Sequence, residues 1–231
     1  MADTQYTKYY VAFLDILGFK NLISGSESTC QSILNIYKEF GTIHDELYSD
    51  IPEGLQNVNI KIMSDSICVY IEADKPNALW SLILYCTGFQ YSSLIMPQHI
   101  LMRGGIVLGD MFIENDIAFG PALTQAYLLE EKNAKVPRII MLKETLDYGR
   151  SQTDKIKAEL MKKFTFRDDD AFYTLNYFLL FRPNFSEQDI LDQVKTVVSG
   201  YLNTTIDESV RQKYLYVEKN MRKYLKENPD A

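Results

Sequence analysis

Along the chain, apolar and polar positions alternate in blocks that predict short strands and amphipathic helices. Val11-Ala12-Phe13-Leu14 is an apolar run that stops at Asp15, the pattern of a buried strand. Gly18 follows, and over about residues 28–48 Ile33, Leu34, Tyr37, Phe40 and Ile43 recur at helical spacing. Residues 51–56, with Pro52 and Gly54, read as a loop. Val58-Asn59-Ile60-Lys61-Ile62 alternates as a strand, Ser64-Asp65-Ser66 turns, and Ile67-Cys68-Val69-Tyr70-Ile71 runs back. This predicts a hairpin with a carboxylate at its tip.

A helix over about 76–94 comes next, then a strand over 100–108 that contains Arg103-Gly104-Gly105. Gly109-Asp110 and Glu114-Asn115-Asp116 signal turns around a second, shorter hairpin. Pro121 opens a helix running to about 132, because a first-turn N–H has no helical partner to lose. Arg138-Ile139-Ile140-Met141 is a final core strand. The order predicts an α+β fold: a split βαβ (ferredoxin-like) core, with an antiparallel sheet and helices on one face. Beyond about residue 149 a charged segment (155–163) precedes Asp168-Asp169-Asp170, an aromatic strand (172–181) and two helical stretches, 186–202 and 206–226. Residues 1–150 are therefore expected to form the core, and 151–231 a C-terminal α/β extension packed on it.

Composition narrows the chemistry. With 231 residues and 46% hydrophobic content, the chain has room for one large domain or a domain with an appendage. Its 31 acidic and 24 basic side chains give a net charge of −7, which argues against a nucleic-acid partner, since neutralising phosphates needs clustered Lys and Arg. Cys30, Cys68 and Cys86 form no CxxC pair, and read as reduced thiols in a cytoplasmic protein. Only His44 and His99 are present, so histidine metal clusters and Ser/His/Asp triads have no support. The apolar stretch 78–96 is broken by Ser, Thr, Gln and Tyr and reads as a buried helix, so no direct membrane association is expected. MADTQYTKYY lacks the basic-then-apolar plan of a secretion signal.

The informative pair is Asp15 and Asp65. Each ends or tips an apolar strand, and neighbouring strands of a split βαβ sheet can bring both carboxylates to one end. Hard oxygen ligands suit Mg²⁺ or Mn²⁺, above all when a substrate phosphate completes the shell. The segment Ile16-Leu17-Gly18-Phe19 can present backbone N–H groups to a phosphate. By itself, a strand-end Asp is more often a solvated cap or turn residue. Asp168-Asp169-Asp170 reads as a solvated turn before a metal site, Gly104-Gly105 as a place of close subunit packing, and Met63 and Met111 as core filling.

YVAFLDILGFKNLI resembles the FxDIxGF segment of class III nucleotide cyclases, and IKIMSDSICVYI their second metal-binding hairpin. LMRGGIVLGDMF followed by IAFGPALTQAYLLE is similar to their next strand, hairpin and helix. More narrowly, RGGI…GD and FGPALTQAYLLE resemble the Pycsar cyclases, bacterial enzymes that make cyclic pyrimidine mononucleotides during phage infection. The likeness covers about residues 9–150. It implies that Asp15 and Asp65 hold two divalent ions, Mn²⁺ or Mg²⁺, with the Ile16 carbonyl ligating one.

The resemblance also implies a homodimer with composite sites, each joining the aspartates of one chain to part of the partner's pocket. The product would be a second messenger acting through a separate cyclic-nucleotide-activated effector. Adenylate cyclases carry an Asn and an Arg four residues apart where this chain has Thr124 and Leu128. Arg103, Lys132, Lys135 and Arg138 are the nearby cations, and spacing assigns none of them to the vacant role. Lys61 falls at the family's base-reading Lys, while its acidic partner is replaced by Ile117, which cannot accept the adenine amine. That favours a pyrimidine, UTP over CTP. A catalytically silent nucleotide-binding module remains the alternative of a different class; a diguanylate-type enzyme is disfavoured, since Met63-Ser64-Asp65-Ser66-Ile67 stands in place of GG[DE]EF.

Overall fold

Strand β1 (Thr7–Ile16) is apolar on both faces, so it can be stable only at the centre of a sheet covered from both sides. In the computed structural model, which describes residues 5–23, 27–49, 58–115, 117–179, 187–205 and 207–227, it is. β1 pairs antiparallel with β3 (Ser66–Glu72) and with β4 (Met102–Glu114). β2 (Asn59–Met63) extends the sheet beyond β3, and β5 (Ile117–Phe119) folds back on the end of β4. β6 (Ile139–Met141) runs parallel to β4, and β8 (Tyr173–Leu175) and β7 (Thr165–Arg167) follow antiparallel. The order is β2-β3-β1-β4-β6-β8-β7.

On one face Tyr10, Ala12 and Leu14 pack with helices α2 (Glu27–Ser49) and α3 (Ala78–Ile95) through Ile36, Phe40, Leu82 and Ile83. α3 is apolar all round and buried along almost its whole length, as a helix between two layers must be. On the other face Val11, Phe13 and Val107 meet α4 (Pro121–Asn133) through Ala122, Ala126 and Leu129. Helices therefore cover both faces of the sheet, correcting the one-face expectation; β1 has no polar side to leave in water.

β4 runs unbroken through Gly109-Asp110, and the turn comes at Asn115, at φ 52°. A Cβ on Gly105 would lie 2.7 Å from the Ala126 carbonyl oxygen and 3.0 Å from the Glu130 nitrogen. Gly105 thus lets α4 settle on a strand of its own chain, whereas a Cβ on Gly104 would meet Leu14, the Phe13 carbonyl and Ile139 within the sheet and its other face. Met111 is fully buried, whereas Met63 is exposed on edge strand β2.

After β6 come α5 (Lys143–Ser151) and α6 (Lys155–Lys163), and after β8 come α7 (Glu187–Thr204) and α8 (Glu208–Glu227). Met161, Phe164 and Leu175 join the main core. Tyr91, Leu94 and Leu101 form a second core with Phe178, Val194, Val198, Tyr214 and Val217. The aromatic strand is confined to Tyr173–Leu175, because Tyr177 and Phe178 leave the ladder to bury their rings in that second core; residues 180 and 181 lie outside the described residues, as does the loop at 51–56.

The acidic turn serves an arginine. Buried Arg138 donates to Asp168 at 2.7 Å, to Asp170, and to the Asn133 carbonyl at 2.8 Å. Tyr216 and Lys219 of α8 reach Asp168 and Asp169 from the other side. Among the described residues no helix is long and apolar enough to cross a membrane.

Candidate active site

Asp15, the last residue but one of β1, stands opposite Ser66 on one neighbouring strand and Arg103 on the other. Asp65 sits at the tip of the β2–β3 hairpin. The Ile16 N–H donates to the Asp65 carbonyl at 3.1 Å and the Leu17 N–H to the Leu101 carbonyl at 2.9 Å. The first bond clamps the hairpin tip to the end of β1, and the second ties the chain after β1 to the residue before β4. The tip itself turns through Ser64 at φ 56°, and the Tyr37 hydroxyl of α2 donates to the Ser64 carbonyl. Two carboxylates distant in sequence are thereby held at one end of the sheet.

Of the segment expected to face a phosphate, Ile16 and Leu17 have spent their N–H groups in this pairing. Gly18, at φ 84°, and Phe19 open the five-residue helix α1 (Phe19–Ile23), and the Phe19 ring is buried. Of the four residues expected to face a phosphate, Gly18 and Phe19 are the two whose N–H groups lie outside this pairing.

Arg103 Nε donates to Asp15 Oδ2 at 2.8 Å, and its Nη1 to the Ala134 carbonyl at 3.5 Å. Glu130, reaching down from α4, places Oε1 2.6 Å from the same Nε. Burial raises the Asp15 carboxyl above its ordinary value; Arg103 opposes this, and the charge of Asp65 adds to it. Burial pushes Glu130 up to about 7, against the pull of Arg103. Glu130 escaped the sequence reading, although one signal was there: an acidic side chain on the Ala122–Ala126–Leu129 stripe that faces the sheet.

Two carboxylates share one guanidinium beside Asp65, so the strand end carries surplus negative charge. Among the described residues no three His, Cys, Asp or Glu side chains surround a common metal position. The donor set of Asp15, Asp65 and the Ile16 carbonyl is made of hard oxygens. It fits a divalent cation of the magnesium type, which keeps waters and takes substrate phosphate oxygens to complete its shell.

Lys61 belongs to a second cluster. It pairs with Cys68, which pairs with Phe13, which pairs with Gly105. Asn115 lies far along β4 from Gly105, about 30 Å if the strand were straight. Yet Lys61 Nζ donates to the Asn115 carbonyl at 2.9 Å. The β4–β5 arm therefore curls back so that its turn reaches Lys61, and Ile117 pairs with Glu114 next to that turn. Ile117 (57% exposed) and Phe119 (48%) on β5, with Ile62 (48%) and Met63 (45%) on β2, leave apolar surface uncovered.

Of the four nearby cations, Arg103 alone contacts Asp15. Arg138 is engaged by its aspartates, Lys135 donates to the Glu131 carbonyl, and Lys132 is exposed. Thr124 is exposed and turned back on the Gly120 carbonyl at 3.5 Å, and Leu128 is half-buried.

The backbone is similar to that of the adenylyl cyclase CyaB from P. aeruginosa, with a TM-score of 0.54 and 16% identity over 79% of this chain and 98% of that one. It is also similar to a bacterial light-regulated adenylyl cyclase, with a TM-score of 0.50 and 11% identity over 93% of this chain and 59% of that one. The chain has the class III nucleotide cyclase fold. No protein-family model matches it, and no curated protein matches it by sequence. The class III likeness is thus one of backbone arrangement.

Proposed function

We propose that the protein is a nucleotide cyclase that converts UTP to 3′,5′-cyclic UMP and pyrophosphate. The observation that carries this reading is the convergence of Asp15 and Asp65 at one sheet end, beside Arg103, on a cyclase fold. Asp15, Asp65 and the Ile16 carbonyl would hold the divalent ions, two per site, Mn²⁺ or Mg²⁺. When bound, such ions lower the pKa of a ribose 3′-hydroxyl and neutralise a triphosphate. The chain's own share is positional. The N–H groups of Gly18 and Phe19 meet phosphate oxygens, and the Arg103 guanidinium offers donors beside Asp15.

The preference for a pyrimidine is supported by Lys61 and Ile117. Exposed Ile117 gives an adenine amine no acceptor, which removes the contact that would select adenine. Lys61 already donates to a carbonyl, that of Asn115; O2 or O4 of uracil is the same kind of acceptor. The apolar surface on β2 and β5 supports a homodimer with composite sites, in which a partner covers that surface. The likeness of RGGI…GD and FGPALTQAYLLE to Pycsar cyclases supports a cytoplasmic second messenger in anti-phage defence, read by a separate effector.

Incubation with Mn²⁺ and each of the four nucleoside triphosphates is expected to give cyclic UMP preferentially, and Asp65→Ala to abolish it. An unchanged product profile in Asp65→Ala would overturn the cyclase reading. Cyclic CMP as the main product would make the enzyme a cytidylate cyclase. A second reading, a silent nucleotide-binding module, draws on Thr124 and Leu128 standing where adenylate cyclases carry Asn and Arg; apolar Leu128 cannot stabilise transition-state charge. UTP binding with no product from any triphosphate would select it.

A further inference from the structure

Arg103 Nε carries a single hydrogen, and two carboxylates compete for it. Asp15 receives it at 2.8 Å. Glu130 Oε1 lies nearer the nitrogen, at 2.6 Å, yet among the described residues it accepts no hydrogen bond from any side chain or backbone group. The Glu130 side chain is only 3% exposed, against 15% for Asp15 and 21% for Arg103. A carboxylate oxygen that deep without a donor is costly, so an arrangement that supplies one is favoured. Any cation that claims Asp15 frees the Nε–H, and Glu130 is already in place to accept it with the guanidinium almost still.

We propose that Glu130 is a positioning residue that takes over Arg103 when Asp15 binds a divalent cation, a role that rests on the cyclase reading of Asp15 and Asp65. Glu130 thereby does two things. It keeps the Arg103 donors at the sheet end, and it withdraws Arg103 from competition with the cation. Without Glu130, Asp15 is the only carboxylate left to Arg103, and metal binding must break that pair.

Mn²⁺ binding to the full chain without nucleotide, followed by calorimetry or by the electron paramagnetic resonance of free Mn²⁺, tests this without turnover. Glu130→Gln is expected to weaken Mn²⁺ binding about tenfold, the usual scale for losing a group that orients a metal ligand. Arg103→Gln removes the competitor, so adding Glu130→Gln to it should change nothing further. An equal loss in both backgrounds would overturn the proposal, because Glu130 would then act as distant charge; wild-type affinity in Glu130→Gln would overturn it too. If Asp65→Ala leaves Mn²⁺ binding intact, the cyclase reading falls and this proposal with it, whereas a silent Glu130→Gln alone removes only the proposal. The wild type gives an independent readout: the ¹⁵N resonance of Arg103 Nε–H should stay protected from solvent exchange before and after Mg²⁺ is added. Loss of protection on adding Mg²⁺ would sink the transfer to Glu130.

Discussion

At the scale of single residues, Glu130 is buried where α4 docks on the sheet, beside Arg103 and Asp15, and this environment sets a testable pH dependence. Burial raises its carboxyl from the ordinary 4.5 to about 7; Asp15 and Glu131 add to this, and Arg103 and Lys135 oppose it. The folded protein then holds a proton that the unfolded chain releases near 4.5, so this group's contribution is fully present below that pH and is lost as pH rises through 7. The metal-free wild type should lose urea resistance over this interval, and Glu130→Gln should lose less. A midpoint that falls equally in both proteins between roughly pH 5 and 8 would show that Glu130 does not titrate there.

At the scale of elements, the strand pattern read well and the helix docking did not. Apolar runs and period-two alternation are local, so β1, β3 and β6 follow from the first and β2 from the second, each from a few residues. α4 buries only Ala122, Ala126, Leu129 and Glu130, too little apolar area to declare a face. What seats it is the missing side chain at Gly105. Gly105→Ala would place a methyl 2.7 Å from the Ala126 carbonyl oxygen, a backbone atom with no rotamer to escape into. The expected cost is about 1–3 kcal/mol in urea unfolding. A neutral substitution would mean that α4 does not dock this closely. The end of β4 shows the opposite case: Gly109-Asp110 is strong turn composition, yet pairing with β1 carries the strand through it.

At the scale of the whole molecule, β7 and β8 complete the sheet beyond β6, and α7 and α8 cover α3 with a core of their own. The acidic run at 168–170, free-standing in the sequence, ties Arg138 of the core to Tyr216 and Lys219 of the last helix. Ile62, Met63, Ile117 and Phe119 remain uncovered in one chain, the feature that supports a dimer with composite sites. Specific cyclase activity is therefore expected to fall when the protein is diluted below its dimer dissociation concentration, as followed by product formed per chain. Constant activity across that range would place a complete site within a single chain.

By itself the sequence determined the core strands β1, β2, β3, β4 and β6 (β7 it did not), which helices are apolar enough to bury, and that two carboxylates end apolar runs. These depend on periodicity and on the solvation of charge, both of which act over a few residues. The tertiary structure alone decided that α4 lies on the second face of the sheet, that Glu130 contests Arg103 with Asp15, and that the β4–β5 arm curls back to Lys61. Each of these joins residues through strand register and close packing, and no local pattern carries the distance between groups that meet only when the layers close.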